Sequence, residues 1–288
     1  ESGTSGGFGF DGAGLKQTLL EIAFRRERPE GMAAHLAQVQ EAARRVRDRL
    51  SPDSWHVLSR LDRLFDAPEA SSRETIGRAQ ELLDDTLFAL SAFSGLSMES
   101  MTRGLGWRFM DMGRRIERGL QQVALIRSGV RRACQDPQSV LEALLEVADS
   151  LMTYRARYRS TLQLAPVLDL LLGDESNPKA IGFQLRMLAD HVEHLPRGQA
   201  RRYSAPEERI VLRMLTAVRL ADLTDLDCGP QTAGHPATAA LLDELDEGFK
   251  AFAQSITSNY LTRVSQTQHF SALEGRAAWE GWYEVAGP

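Results

Sequence analysis

Hydrophobic positions recur at helical spacing over most of the chain. Between Leu105 and Val123 they follow one another at steps of three and four residues, which is the spacing of one face of an α-helix. Similar patterns predict helices that begin near residues 15, 30, 51, 71, 137, 177, 206 and 237, several of them after a proline or a capping residue. Alternating runs that would indicate strands are scarce. The sequence therefore predicts an all-α protein, a multi-helix bundle of about eight to ten helices.

Glycine, serine and proline clusters predict where helices end. Residues 1–14 are glycine-rich and are interpreted as a flexible arm or linker. The segment FSGLS at 93–97 predicts a break, whereas 137–162 is predicted as one continuous helix. The tail 266–288 contains two tryptophans and a tyrosine and is a candidate docking segment. Residues 15–265 are then one large helical domain or two closely packed halves.

Composition narrows the functional classes. The 288-residue chain has a net charge of −5, so its overall balance does not suggest a nucleic-acid surface. Lysine occurs only at Lys16, Lys179 and Lys250, and the prevalence of arginine favours bidentate contacts with carboxylates or phosphates. Cys134 and Cys228 make neither a disulfide framework nor a metal set, which predicts a reducing, cytoplasmic setting. No segment is long and apolar enough to predict a membrane span.

The helix that begins near Leu105 has unusual residues on its second face. Trp107, Asp111, Arg114 and Arg118 lie opposite the apolar stripe, and Glu117 flanks them. Because a solvated face rarely carries Trp among charges, we expect this helix to be covered on more than one side, with the arginines and Glu117 partly enclosed. The charged residues of this face have two possible interpretations: they form ordinary ion pairs, or they form a site for an anion or carboxylate.

Three further positions predict tertiary contacts. Gly106 and Gly113 share one edge of this helix, where the absence of a side chain predicts close approach of another backbone or a ligand. Asp169 lies inside the apolar run PVLDLLL, and an acid in such a run needs a partner. We expect that partner to be an arginine of the helix that begins near Leu105.

A second candidate group lies on the predicted 137–162 helix. Tyr154 and Tyr158 are one turn apart, with Arg155 beside them. They either cover an edge of the core with the arginine in solvent, or form a second wall of an arginine-lined pocket for an anionic or peptide-like ligand. Asn177 and Pro178 are explained as the start of the next helix.

The familiar catalytic and metal-binding patterns are weak or missing from the sequence. There is no phosphate-binding loop, nucleophile elbow or paired Glu-x-x-His motif. His191 and His194 are three residues apart and could hold a metal together with Asp190 or Glu193. Without a second matching motif, surface histidines are the favoured interpretation.

Four segments together resemble a known family. They are RLSPDSWHVLSRL at 49–61, SMESMTRGLGWRFMDMGRRIERGLQ at 97–121, LLEVADSLMTYRARY at 144–158 and PVLDLLLGDESNPKAIGFQL at 166–185. On these motifs the chain is identified as a member of the bacterial alpha-E family over residues 15–265. The resemblance implies a helical domain encoded beside, or fused to, a circularly permuted ATP-grasp protein. It further implies a transglutaminase-like peptidase and a proteasome-like Anbu hydrolase as neighbours.

The resemblance also implies a role and its residues. The role is ATP-dependent formation of amide or peptide bonds, in which this chain helps and binds no cofactor, while ATP and Mg²⁺ belong to the partner. A first Gly-Arg-x-x-Glu-Arg copy, usual in the family's opening helix, is not found here, because AFRRER at 23–28 matches it poorly. Glu117 and Asp169 are the catalytic candidates. The residues expected to bind substrate or anion are Trp107, Arg114, Arg118, Tyr154, Arg155, Tyr158, Asp174 and Asn177.

The leading hypothesis is therefore a helical accessory subunit or domain of an ATP-grasp-dependent amide or peptide ligase. In it, Arg114, Arg118 and Arg155 hold a carboxylate-bearing or peptide substrate. The alternative is a non-catalytic scaffold for ATP-grasp, transglutaminase-like or proteasome-like partners. A third hypothesis, an enzyme that acts alone, requires turnover by the isolated chain.

Overall fold

Residues 12–24, 27–29, 31–65, 76–133, 137–159, 161–196, 205–222 and 236–261 are described by the computed structural model of the chain. They form eleven α-helices and no strand, which confirms the predicted all-α class. The helices fall into two compact units, one within Glu1–Arg103 and the other within Gly104–Pro288. Most of the predicted arm, both cysteines and the aromatic tail lie outside the described residues.

The first unit contains four helices, α1 (Gly12–Phe24), α2 (Met32–Arg45), α3 (Pro52–Phe65) and α4 (Ile76–Ser100). Each helix packs against its neighbour in a core that includes Leu58 and Leu61. Ser51 caps α3 as predicted, because its Oγ accepts a hydrogen bond of 3.1 Å from the backbone N–H of Ser54.

The predicted break at 93–97 is wrong. Helix α4 continues through these residues to Ser100, and the Ser97 hydroxyl donates to the carbonyl of Phe93 at 2.7 Å. A serine that bonds back to a carbonyl one turn earlier is compatible with helix, and one interior glycine costs only about 1 kcal/mol.

The second unit is built around α5 (Leu105–Ala133), which begins where the apolar stripe predicted it. Helices α6 (Pro137–Val147), α9 (Ile181–Glu193) and α11 (Pro236–Ile256) pack against it, and α10 (Pro206–Leu220) packs against α9 and α11. The shorter α7 (Leu151–Tyr158) and α8 (Leu164–Leu168) connect α6 to a π-helical turn at Asp169–Gly173. A second π-helical turn, Thr257–Leu261, ends α11. Fully buried apolar side chains from five of these helices form the core, among them Val123, Ile126, Leu145, Leu185, Val211 and Phe249.

The single helix predicted over 137–162 is wrong, because the chain divides it into α6 and α7. Asp149 has a φ of 49°, in the left-handed region that aspartate tolerates better than most residues. The N–H of Ser150 then bonds to the carbonyl of Leu145 at 2.8 Å, which closes α6. Helix α7 therefore starts as a separate helix at Leu151 and carries Tyr154 and Tyr158.

The close approach of another backbone predicted at Gly106 and Gly113 is not found. Among the residues that the structure describes, nothing lies within 4 Å of the point where a Cβ of either glycine would stand. The tight positions are elsewhere, since a Cβ on Gly119 would overlap the ring of Phe249 and one on Gly182 would stand 2.8 Å from the Gly173 carbonyl oxygen. In α5, Gly119 therefore permits the close approach of α11.

Within the described part of the chain, no helix has both the length and the apolar character required to cross a membrane.

Candidate functional site

The second face of α5 is organised around one fully buried carboxylate, that of Asp111. Arg114 Nε donates to its Oδ1 at 3.0 Å, and Arg115 Nε donates to its Oδ2 at 3.1 Å. His191 Nε2, from α9, lies 2.7 Å from the same Oδ2. Two cations and one imidazole therefore surround a single negative charge, all within contact distance.

These partners determine the protonation of Asp111. Burial alone would raise its pKa, but the hydrogen bonds from His191 and Arg114 and the charges of Arg115 and Arg114 outweigh burial and hold the pKa well below its ordinary value. Asp111 is thus ionised across the physiological range, and it neutralises only one of the two adjacent arginines.

The cluster extends to the start of α9 through Gln184. Arg115 Nη1 donates to Gln184 Oε1 at 3.2 Å, and Gln184 Nε2 donates to the carbonyl of Pro178 at 2.6 Å. All three polar side chains of this path, Asp111, Arg115 and Gln184, are buried. The network therefore fixes α5, α9 and the loop before α9 relative to one another.

Arg118 lies one turn further along α5 and differs from its two neighbours. It makes no ion pair or hydrogen bond with the described residues, and it lines a cavity of about 400 Å³. Partial desolvation, followed by the positive charges of Arg114 and Arg115, lowers its pKa from the ordinary arginine value, while Asp111 acts in the opposite direction. Since arginine stays charged well above neutral pH, Arg118 presents a cation to this cavity.

The predicted enclosure of the cluster is confirmed only in part. Arg114 is half-buried, while Glu117 and Arg118 are exposed. Glu117 makes no ion pair with the residues that the structure describes. Trp107 is buried, and its ring meets the His191 ring edge-on with 5.2 Å between centroids.

The tyrosines of α7 form a separate group with the π-helical turn. Tyr154 is fully buried, and its ring centroid is 4.9 Å from that of Tyr158. The Tyr158 hydroxyl donates to Asp169 Oδ2 at 2.5 Å. Burial, then the hydrogen bond to Asp169 and its charge, raise the pKa of Tyr158 to about 12. The partner of Asp169 is thus a phenol of α7, and the arginine of α5 predicted for this role is wrong.

The loop between the π-helical turn and α9 is fastened by polar contacts. Arg157 Nη1 donates to Asp174 Oδ2 at 2.6 Å. Arg219 donates two hydrogen bonds, of 2.6 and 2.9 Å, to the carboxylate of Glu175. Asn177 Nδ2 donates to the carbonyl of Leu170 at 2.9 Å, so its side chain is used within the fold. Hydrogen bonds from Ser176 and Arg157 offset the effect of burial and lower the pKa of Asp174.

Arg155 is not brought to the α5 cluster. Its Nη2 donates to Glu142 Oε1 at 3.0 Å, and 58% of its side chain is exposed. The two groups of candidate residues are therefore distinct in the structure: one is centred on Asp111, and the other on Tyr158 and Asp169.

The interpretation of His191 and His194 as surface histidines is wrong for His191. His191 is fully buried between α5 and α9, whereas His194 is exposed as expected for a surface histidine. No group of three or more His, Cys, Asp or Glu suited to a metal occurs among the described residues. Arg115, Gln184 and His191 belong to the site but were not selected from the sequence. The apolar face of α9, which places His191 with Leu188 and Val192, was the available signal.

Comparison with known families decides the classification. The family model Alpha-E, described as a predicted alpha-helical domain with a conserved ER motif, matches residues 3–261. The chain belongs to the Alpha-E family. Uncharacterized proteins of Mycobacterium bovis and Mycobacterium tuberculosis are 30% identical to this Alpha-E chain over 271 residues, which is 91% of it and 30% of each relative. The chain thus spans about 30% of the length of the curated relatives that it matches. No solved structure matches it.

Proposed function

We propose that this Alpha-E chain is a helical accessory domain of an ATP-grasp-dependent amide or peptide ligase system, in which the arginine and glutamate cluster of α5 holds a carboxylate-bearing or peptide substrate. ATP and Mg²⁺ would bind to the circularly permuted ATP-grasp partner. A transglutaminase-like peptidase and a proteasome-like hydrolase are further proposed partners. We propose a cytoplasmic location, because ATP is supplied there.

The arrangement of charges on α5 carries the proposal. Asp111 is shared between Arg114 and Arg115, so the cluster has more positive than negative charge. Arg118 makes no ion pair with the described residues, and lies beside a cavity. The buried network fixes Arg114 and Arg115, while the guanidinium of Arg118 keeps its hydrogen-bond donors available for a carboxylate.

Ligation with a matched pair of variants tests this function. The protein is combined with its ATP-grasp partner, and ATP-dependent amide formation is measured with wild type, Arg118→Gln and Arg131→Gln. Arg131 is an exposed arginine of the same helix and gives the same change of charge. We expect Arg118→Gln to raise the KM for the carboxylate substrate by about tenfold or more, and Arg131→Gln to leave it unchanged. Equal rates with and without this chain would contradict the function.

A second candidate function, a non-catalytic scaffold, is favoured by the exposed face of α4. Leu83, Leu87 and Leu90 lie on one stripe, and the neighbouring Phe88 is 77% exposed. Such an apolar stripe on a helix is suited to the groove or helix of a partner protein. Under this function, Leu87→Arg abolishes binding of the ATP-grasp partner in titration calorimetry, while Glu117→Gln and Arg118→Gln bind as wild type does.

A further inference from the structure

The cavity beside Arg118 lies entirely in the second unit, and its wall has a polar side and an apolar side. Arg118, Gln121 and Gln122 come from α5, while Lys179 and Gln184 come from the loop before α9 and from α9 itself. The apolar wall consists of Leu125, Val147, Ala148 and Pro178. The volume of the cavity, about 400 Å³, falls in the range of small-molecule sites.

Gln122 is the unexplained residue of this cavity. The residue is only 8% exposed, and its Nε2 has no hydrogen-bond partner in the described part of the chain. A buried amide without a partner destabilises a fold, so such a group requires an explanation, such as an ordered water, an ion or a ligand. Gln122 lines the cavity, and the terminal torsion of glutamine is soft, so its amide can turn toward a ligand there.

Two other polar groups of the wall, Gln184 and Lys179, are already engaged. Gln184 uses its oxygen for Arg115 and its nitrogen for the carbonyls of Pro178 and Ala180. Lys179 pairs with Asp149 at 2.9 Å. Beside the exposed Gln121, Arg118 and the buried Gln122 therefore remain as donors, one charged and one neutral, which suits a ligand that offers one negative charge and one neutral acceptor.

We infer that this cavity binds the C-terminal carboxylate of a peptide, with Arg118 on the carboxylate and Gln122 on the preceding peptide carbonyl. The inference deepens the proposed function, on which it rests, by naming the substrate class of the Arg118 site. The apolar wall accommodates a terminal apolar side chain. A phosphate fits less well, because a dianion exceeds the single unpaired cation and leaves the apolar wall unused.

A pair of peptides that differ only in charge tests the inference in the absence of ATP and ligase. Binding of N-acetyl-alanyl-leucine, of its C-terminal amide and of inorganic phosphate to the purified protein is measured by calorimetry. We expect the free acid to bind at least about tenfold more tightly than the amide or phosphate. Equal binding of acid and amide, tighter binding of phosphate, or no binding of the acid would overturn the inference.

Three variants locate the site. Arg118→Gln and Gln122→Leu should each weaken binding of the acid by about tenfold, while Arg131→Gln should bind as wild type does. Gln122→Leu should also melt at the wild-type temperature or above it, because it removes an unpaired buried amide and retains the packing volume. A lower melting temperature with unchanged affinity would show that Gln122 is only structural. The acid and amide comparison on wild type decides the inference even if this variant does not fold.

The outcomes separate the inference from the function that it deepens. If ligation depends on Arg118 but the free acid does not bind, the peptide-carboxylate assignment is wrong and the accessory function stands. If the acid binds and this chain does not stimulate ligation, the binding site stands and the ligase function is wrong.

Discussion

The imidazole Nε2 of His191 on α9 lies 2.7 Å from Oδ2 of Asp111 on α5, and neither side chain is exposed to solvent. On the other side of the ring, Arg108 Nη1 is 3.3 Å from His191 Nδ1. A guanidinium can only donate, so Nδ1 accepts, and Nε2 carries the proton that it donates to Asp111. The ring thus links an arginine and an aspartate of the same helix through a residue of another helix.

Removal of the Asp111 charge should be strongly destabilising. In Asp111→Asn, the buried Arg115 loses its counterion and a hydrogen bond from His191 is weakened. Breaking a buried pair on one side typically costs about 3–5 kcal/mol of unfolding free energy. Urea unfolding monitored by circular dichroism measures the change.

The matched control is Asp243→Asn, at a surface pair. Asp243 binds Arg127 at 2.7 Å, and its side chain is 68% exposed. We expect this variant to lose less than about 1 kcal/mol. Equal losses in the two variants would mean that the Asp111 network contributes no more than a surface contact.

Stability should depend on pH in the direction set by Asp111. Its pKa lies below the ordinary 3.8, so the folded state holds its proton less tightly than the unfolded state does. The stabilisation is therefore complete above the ordinary pKa and is lost as the pH falls toward the folded pKa. The difference in unfolding free energy between wild type and Asp111→Asn should stay constant from neutral pH to about pH 5 and narrow below about pH 4. A difference that is constant down to pH 2 would contradict this assignment.

The helices were predictable from the sequence because their apolar spacing is local information. Helix α5 begins at Leu105 as predicted, and Met112, Ile116 and Val123 of its stripe are buried. The same periodicity placed Trp107 and Asp111 together on a second face. Local spacing does not identify what covers that face, and here the cover is His191, 80 positions further along the chain.

The pairings within the candidate site could not be predicted for the same reason. Asp169 required a partner, and both Tyr158 and the α5 arginines were available from the sequence. The left-handed turn at Asp149, whose φ is 49°, separates α6 from α7, and Tyr158 of α7 contacts Asp169. Aspartate at that position gives only a weak sequence signal for such a turn.

Two glycine variants should have effects of opposite sign. A Cβ on Gly182 would stand 2.8 Å from the Gly173 carbonyl oxygen, so the backbone of the π-helical turn must shift. We expect Gly182→Ala to lose about 1–3 kcal/mol of unfolding free energy. Gly113→Ala meets nothing within 4 Å and should gain about 1 kcal/mol from helix propensity.

Thermal unfolding of the two glycine variants provides the measurement, with each serving as the control for the other. A stabilised Gly182→Ala would show that the turn at Asp169–Gly173 adjusts freely. A destabilised Gly113→Ala would show that α5 is covered at Gly113 in solution.

Tyr158 should titrate late, and Asp169 should be one of the causes. Burial first, then the hydrogen bond to Asp169 and its charge, raise the pKa of Tyr158 from 10.0 to about 12. The folded state therefore keeps this proton while the unfolded state loses it, so the stabilisation is present below pH 10 and is lost as the pH rises toward 12.

Absorbance of tyrosinate at alkaline pH should show one late transition that Tyr158→Phe removes. In Asp169→Asn the transition should move to lower pH but stay above 10.0, since burial remains. Far-ultraviolet circular dichroism over the same pH range verifies that the helices stay folded. A transition that is unchanged in Asp169→Asn would mean that the 2.5 Å contact between the Tyr158 hydroxyl and Asp169 does not persist in solution.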